Sequence, residues 1–503
     1  MARWIVPFLC LALSADGFVP PVRWATSGPL RHRGARTHPS GQRPALSPGV
    51  GCTLSARSQA SDTDSPHRPA SGTGQGTRVC IVGGGFGGLY TALQLVQLLP
   101  LQGESERAKI TLVNSGERFV FLPLLYELVT GELQDWEVAP LYSDLLEGTG
   151  IEFVHGSVSS LDHEKRTVGI DLALVAGGGS TEIVYDKIVL ATGASCFVPA
   201  EAAAAGALPF VRVEDAKSLR ARLGQLRFDA ARRREQRRKA GKPERPAVAI
   251  VGGGYSGVEL ACSLAQSVGQ WADIKLVHRG DQLMPAAARF NRITSYQELR
   301  RRGVSVSTRT NVSDVGPSSL TLKSGEQGEA RVEPYDILVW TAGTASNALA
   351  DLAQLPTTPE GRLQVDTYLR VRGCDDMYSL GDGAECYDAM GDKMAPNAQV
   401  AVQQAQALAW NLHADITGGV PVKFRYQNLG EMVTMGRYAA GVSSEVFGLG
   451  ASGAAGAAMR RVTYWLRMPN NSHRAKLAAS WLSRLPSEVA DYFSSDSAAR
   501  SGS

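Results

Sequence analysis

Two glycine-rich turns, Gly83-Gly84-Gly85-Phe86-Gly87-Gly88 and Gly252-Gly253-Gly254-Tyr255-Ser256-Gly257, limit what this chain can fold into more than any other feature. Each follows a short apolar run, Val79-Cys80-Ile81-Val82 or Val248-Ala249-Ile250-Val251, and each opens a helical pattern. In a strand–turn–helix of this kind the first glycine (Gly83, Gly252) makes the bend. The next (Gly85, Gly254) lets backbone N–H groups approach a pyrophosphate, and the last (Gly88, Gly257) lets helix and strand close up. The phosphates then lie at the positive end of the helix. One such turn is a weak signal. Two, a domain's length apart, imply two dinucleotides on one polypeptide, and electron transfer between them is the plainest reason to hold both.

The rest of the chain repeats the plan. Ile110 to Val113 and Ile274 to Val277 read as second parallel strands. Tyr185-Asp186 leads through an apolar strand to Thr192-Gly193, and Tyr335-Asp336 leads through another to Ala342-Gly343, an internal echo. Met377 to Leu380 then feeds Gly381-Asp382, an acidic turn. The expected fold is α/β with two Rossmann-like domains, the first split by insertion of the second. Residues 77–209 and 346–425 would form the first, 210–345 the second, and 426–503 a C-terminal membrane-associating region.

Ribose recognition in such folds favours an acid at the end of the second strand. Here those positions hold Asn114 and, in the second domain, His278 followed by Arg279. An amide still bonds hydroxyls. Without a carboxylate the second site no longer repels a 2′-phosphate, and Arg279 supplies a charged partner, which favours NADPH over NADH.

The net charge of +4 is too small to argue for nucleic acid, and the seven cysteines show neither metal nor redox-dithiol spacing. No metal site is expected. Before residue 77, Trp4 to Leu13 fits a signal-peptide core. The stretch after it is rich in Arg, Ser and Pro and has no acid from Gly17 to Ser61. A signal peptide followed by a transit peptide resembles the leader of algae with complex plastids, and Gly17-Phe18-Val19-Pro20 resembles its cleavage junction. The expected address is the plastid, with the mitochondrion as the alternative. The basic run from Arg227 to Arg245 reads as a solvated face.

The order of motifs resembles the flavoproteins with two dinucleotide-binding domains, which implies FAD at the first turn and Asp382 on its ribityl or pyrophosphate region. Glu117 to Gly131 and Ala398-Gln399-Val400-Ala401-Val402-Gln403-Gln404 resemble type II NAD(P)H:quinone oxidoreductases, and the second segment matches that family's AQxAxQQ motif at every fixed position. Four residues apart on a helix, Gln399 and Gln403 face the same way. With Gln404, they are expected at the head group of a membrane quinone. The resemblance implies hydride transfer from NAD(P)H to FAD and two electrons onward without proton pumping. It also implies a role for Glu259 between the nicotinamide and quinone sites, although an acid in a helix's first turn also simply suits the dipole.

Further likeness, in Asn428 to Tyr438 and Arg461 to Pro469, is to a plastid-targeted plant and algal subgroup. Its members are associated with thylakoids and plastoglobules and with plastoquinone or demethylphylloquinone. Between Val446 and Ser487 there is no acid, while Arg460, Arg461, Arg467, Arg474, Lys476 and Arg484 interleave with Tyr464, Trp465, Leu466 and Trp481. That mixture suits interfacial attachment. Packing against the FAD domain, or against a second subunit in a homodimer, is the alternative. The competing functions are a reductase that serves a protein acceptor and a non-enzymatic flavin redox sensor.

Overall fold

The computed structural model describes residues 76–99, 108–173, 179–239, 245–325, 328–345, 354–444 and 448–485. The leader expected before residue 77 lies outside them.

Five strands of the first sheet are parallel, in the order Met377–Ser379, Lys187–Leu190, Thr77–Val82, Ala108–Asn114 and the first half of Glu152–Asp162. From Gly156 the strand Glu152–Asp162 pairs antiparallel with Thr167–Leu172, with a bulge between Val158 and Ser160, and Thr167–Leu172 pairs antiparallel with Gly179–Val184. Val79, Cys80 and Ile81 are buried in succession, as expected of a strand covered on both faces. The second sheet is wholly parallel, in the order Ser305–Ser307, Asp273–Val277, Ala247–Val251 and Ile337–Trp340. Because Met377–Ser379 returns to the first sheet after the second is complete, the second domain is an insertion in the first. The strands Ser195–Cys196 and Thr344–Ala345, one on each side of the insertion, pair with each other.

The Tyr-Asp echo has a physical cause. Asp186 accepts the Arg78 N–H at 2.7 Å and Asp336 accepts the Ala247 N–H at 2.9 Å. Each aspartate therefore satisfies a backbone donor at the start of its domain's first strand, and Tyr185 and Tyr335 are buried beside them. The helix Ala398–Thr417 starts on Asn397, whose side chain accepts the Val400 N–H, and ends at Gly418 in the left-handed region. A third sheet, Glu431–Thr434, Ala440–Ser444 and Leu449–Ala451, leads into the helix Gly453–Leu466.

Candidate active site

Both glycine turns have the shape their chemistry requires. Gly83 and Gly252 have φ of +102° and +122°. A Cβ on Gly88 would lie 1.8 Å from the Gly83 carbonyl oxygen, and one on Gly257 would lie 1.8 Å from that of Gly252. Only glycine allows that approach of helix to strand. Gly85 and Gly254 differ: nothing lies within 4 Å of a Cβ built on either, and neither caps its helix through a side chain. The helix ends are closed on the protein side and open on the other, the form of a pyrophosphate cradle.

The turns after the neighbouring strands complete the first cradle. Gly193 and Gly381 both have positive φ, and a Cβ on Gly383 would meet the Gly193 oxygen at 2.9 Å, so the two turns touch. The Thr192 hydroxyl is buried without a hydrogen-bond partner, and burial raises the Asp382 carboxyl above its ordinary range. Asp382 makes no hydrogen bond among the described residues. A nucleotide with hydroxyls to donate and a pyrophosphate to place suits this donor and acceptor set. In the second domain Gly343 has φ of +84° and sits against Phe197, a half-exposed ring.

At the ends of the second strands the two domains match again. The Gly84 N–H donates to Asn114 Oδ1 at 2.9 Å, and the Gly253 N–H donates to His278 Nδ1 at 3.2 Å. Each side chain is turned onto its own glycine loop. Partial burial lowers the His278 pKa, and the Arg279 charge adds to this against a hydrogen bond to the Gln282 backbone. Arg279 is exposed.

The glutamines of the helix Ala398–Thr417 do not end free. Gln404, nearly fully buried, accepts the Gly381 N–H at 2.7 Å and so fixes the acidic turn. Gln399 accepts from the Tyr426 hydroxyl at 2.7 Å and the Leu429 N–H at 3.1 Å, and donates to the Gly430 oxygen at 2.9 Å. Gln403 exchanges a pair of bonds with the Gln427 backbone, at 2.8 and 2.9 Å. The two side chains share a face, and that face is covered by residues 426–430.

Glu259, expected in a first turn, lies instead in the second turn of the helix Tyr255–Val268, past the reach of the helix end, and does not face solvent. Its Oε1 accepts the Thr434 N–H at 2.7 Å, and the Tyr126 hydroxyl donates to the carboxylate. Burial pushes its pKa up to about 6, while Thr434, Tyr126 and the Arg460 charge pull it back.

Residues 77–405 match the pyridine nucleotide-disulphide oxidoreductase family. The chain belongs to that family. Within it, the oxidoreductase is 37% identical to demethylphylloquinone reductase NdbB of Synechocystis sp., over 81% of this chain and 96% of that one. It is 35% identical to the alternative NAD(P)H-ubiquinone oxidoreductase C1, chloroplastic/mitochondrial, of Arabidopsis thaliana, over 81% of this chain and 80% of that one. These relatives place it among the type II NAD(P)H:quinone oxidoreductases, which are FAD enzymes. The fold is that of NDH2 from Plasmodium falciparum in complex with NADH, with a TM-score of 0.69 at 17% identity, covering 82% of this chain and 98% of that one.

The C-terminal aromatic residues of the oxidoreductase behave differently from the interfacial expectation. Tyr464 and Leu466 are buried, and Tyr464 meets Phe121 edge-on. The Trp465 indole donates to the Arg474 oxygen at 2.8 Å. Arg460 is fully buried in an ion pair with Glu127, and Arg484 pairs with buried Glu137. A stripe of aromatic and basic residues has the same spacing whether it meets lipid or a protein core, and here most of it meets the core. Val462, Leu482 and Leu485 are the apolar side chains it leaves exposed. Among the described residues no helix is long and apolar enough to cross a membrane, and no group of His, Cys, Asp and Glu could hold a metal.

Sequence reading placed Arg460 at a membrane interface and gave no role to Glu127, Glu132 or Glu431. The charges they meet, Arg460 with Glu127 and Arg437 with Glu132, and the Tyr255, Ala288 and Asn291 partners of Glu431 lie far away in the chain.

Proposed function

We propose that the oxidoreductase passes two electrons from NADPH to a prenylated quinone of the plastoquinone or demethylphylloquinone class, at a plastid membrane surface. The observation that carries this reading is the Gln404–Gly381 bond. It makes the helix bearing Gln399 and Gln403 and the turn bearing Asp382 one rigid unit, so a quinone beside that helix lies next to the flavin cradle. Bound FAD supplies the two-electron relay that separates hydride donation from quinone reduction.

The chain's own residues do the rest. Gly83, Gly85, Gly88, Asn114, Thr192, Gly193, Gly381 and Asp382 hold the flavin nucleotide, Asn114 by setting the loop and Asp382 by its free carboxyl. Gly252, Gly254, Gly257 and Gly343 cradle the nicotinamide nucleotide. His278 sets its loop, and exposed Arg279 is the partner for a 2′-phosphate. Gln399, Gln403 and Gln404 build the quinone wall rather than merely decorating it. In this reading residues 77–209 and 346–425 carry FAD, 210–345 carry NADPH, and Val462, Leu482 and Leu485 in the C-terminal region meet lipid. Each turnover takes one proton from solvent, because NADPH delivers a hydride and the quinol needs two protons. The leader composition and the chloroplastic/mitochondrial relative support the plastid address.

The purified protein should be yellow, bleach on anaerobic addition of NADPH, and regain its colour with a short-chain plastoquinone. Bleaching without reoxidation by any quinone would assign a protein acceptor instead. No bleaching would leave a flavin-binding sensor.

A further inference from the structure

One carboxylate outside the residues so far assigned joins the nucleotide domain to the quinone helix. Glu431 Oε1 accepts the Ala288 N–H at 2.7 Å and the Asn291 side-chain N–H at 2.8 Å, and Oε2 accepts the Tyr255 hydroxyl at 2.8 Å. Tyr255 immediately follows Gly254, whose open side forms the nicotinamide-nucleotide cradle. Ala288 and Asn291 begin the helix Arg289–Arg301. Glu431 thus sits at the N-terminal end of the helix Arg289–Arg301, where a negative charge is favoured, and holds the side-chain hydroxyl of Tyr255, the first residue of the helix Tyr255–Val268.

The chain on either side of Glu431 is held as firmly. Upstream, residues 426–430 are gripped by Gln399 and Gln403. Downstream, the Thr434 N–H is held by Glu259. Over nine residues, an extended reach of roughly 25–30 Å, one segment is fixed at one end to the quinone helix and at the other to the NADPH helix. Hydrogen bonds to a carboxylate are stronger than bonds between neutral groups, so the Glu431 clamp is stronger than the neutral amide contacts upstream.

We infer that Glu431 is a positioning residue that couples nucleotide binding to quinone binding through the segment 426–434. The inference rests on the quinone site lying at Gln399 and Gln403. A nucleotide seated against Gly254 bears on the residue next to Tyr255. Any shift there reaches the backbone that covers the quinone helix, because Glu431 leaves no slack between them. By linkage, a quinone that orders residues 426–430 changes nucleotide affinity by the same factor.

The test is anaerobic stopped-flow reoxidation of the photoreduced holoenzyme by decylplastoquinone, with and without saturating NADP+, with ferricyanide as a second acceptor. In the unmodified enzyme NADP+ should change the apparent quinone Kd about fivefold or more. In Glu431→Ala that ratio should fall to one, and in Glu431→Gln and Tyr255→Phe it should fall partway, with ferricyanide rates unchanged in Glu431→Gln. If Glu431→Ala does not retain flavin, the two milder variants decide the matter. A ratio of one in the unmodified enzyme, or an undiminished ratio in the variants, overturns the coupling. Failure of decylplastoquinone to reoxidise the unmodified enzyme while ferricyanide succeeds overturns the quinone reading itself.

Discussion

Glu132 shows what it costs to leave a carboxylate without a full set of partners. Its Oε1 accepts the Thr130 hydroxyl at 3.1 Å, while Oε2 is buried with no hydrogen bond. Burial first, and then the charge of Glu127, push its pKa up to about 7 from 4.5, against the pull of Arg437, Thr130 and Arg461. The folded chain therefore holds this proton more tightly than the unfolded chain. The stabilisation is complete below about pH 4.5 and is lost as pH rises through about 7. Glu132→Gln, which cannot ionise, should be more stable than the unmodified protein at pH 8 by about 1–3 kcal/mol. The difference should be smaller at pH 5, as urea unfolding at the two pH values would show. Arg279 makes a prediction of the opposite kind, because it is exposed and serves a ligand. Arg279→Ala should raise the KM for NADPH about 10–100-fold, the loss of one charge-assisted contact, and leave the KM for NADH within a factor of two or so of its starting value. Equal effects on both nucleotides would remove Arg279 from 2′-phosphate recognition.

At the scale of elements, the strand–turn–helix units were legible because their physics is local. A glycine at the bend and another against the strand have to be within a few residues of each other, and the contact of Gly257 with the Gly252 oxygen is their meeting. Gly257→Ala forces the helix Tyr255–Val268 off its strand. It should abolish bleaching by NADPH while the protein keeps its flavin, whereas Gly88→Ala should lose flavin on purification. Loss of flavin from Gly257→Ala would contradict the assignment of the two cradles. The helix Ala398–Thr417 was legible only in part. Helical spacing put Gln399 and Gln403 on one face, but nothing periodic announces that residues 426–430, outside any helix or strand, come to cover them. Glu431 was invisible for the same reason: its partners Tyr255, Ala288 and Asn291 lie more than a hundred positions upstream.

For the whole molecule, a buried ion pair helps to close the fold by joining Glu127 to Arg460, 333 positions apart. Among the described residues Arg460 is the largest fully buried side chain, and its guanidinium also lies over the Tyr464 ring at 5.2 Å. Removing one partner of a buried pair strands the other charge, so Glu127→Ala should cost about 3–5 kcal/mol. Glu127→Leu combined with Arg460→Met should restore most of that loss in the same unfolding measurement. The pair also governs how the proposed membrane contact must be tested. Deleting the C-terminal region would remove Arg460 and unfold the enzyme, so detachment of such a truncation would say nothing about lipid. The exposed residues separate the two roles. Leu482 and Leu485 are 63% and 44% exposed, on the C-terminal helix over residues 471–485, whose Arg484 is anchored on Glu137. Replacing both with Glu removes apolar surface without touching the anchor and adds charge that anionic lipid repels. Cosedimentation of Leu482→Glu/Leu485→Glu with vesicles of galactolipid and anionic lipid should fall about tenfold or more, with thermal stability and ferricyanide activity retained. Undiminished binding at equal stability would move the membrane contact away from the C-terminal helix.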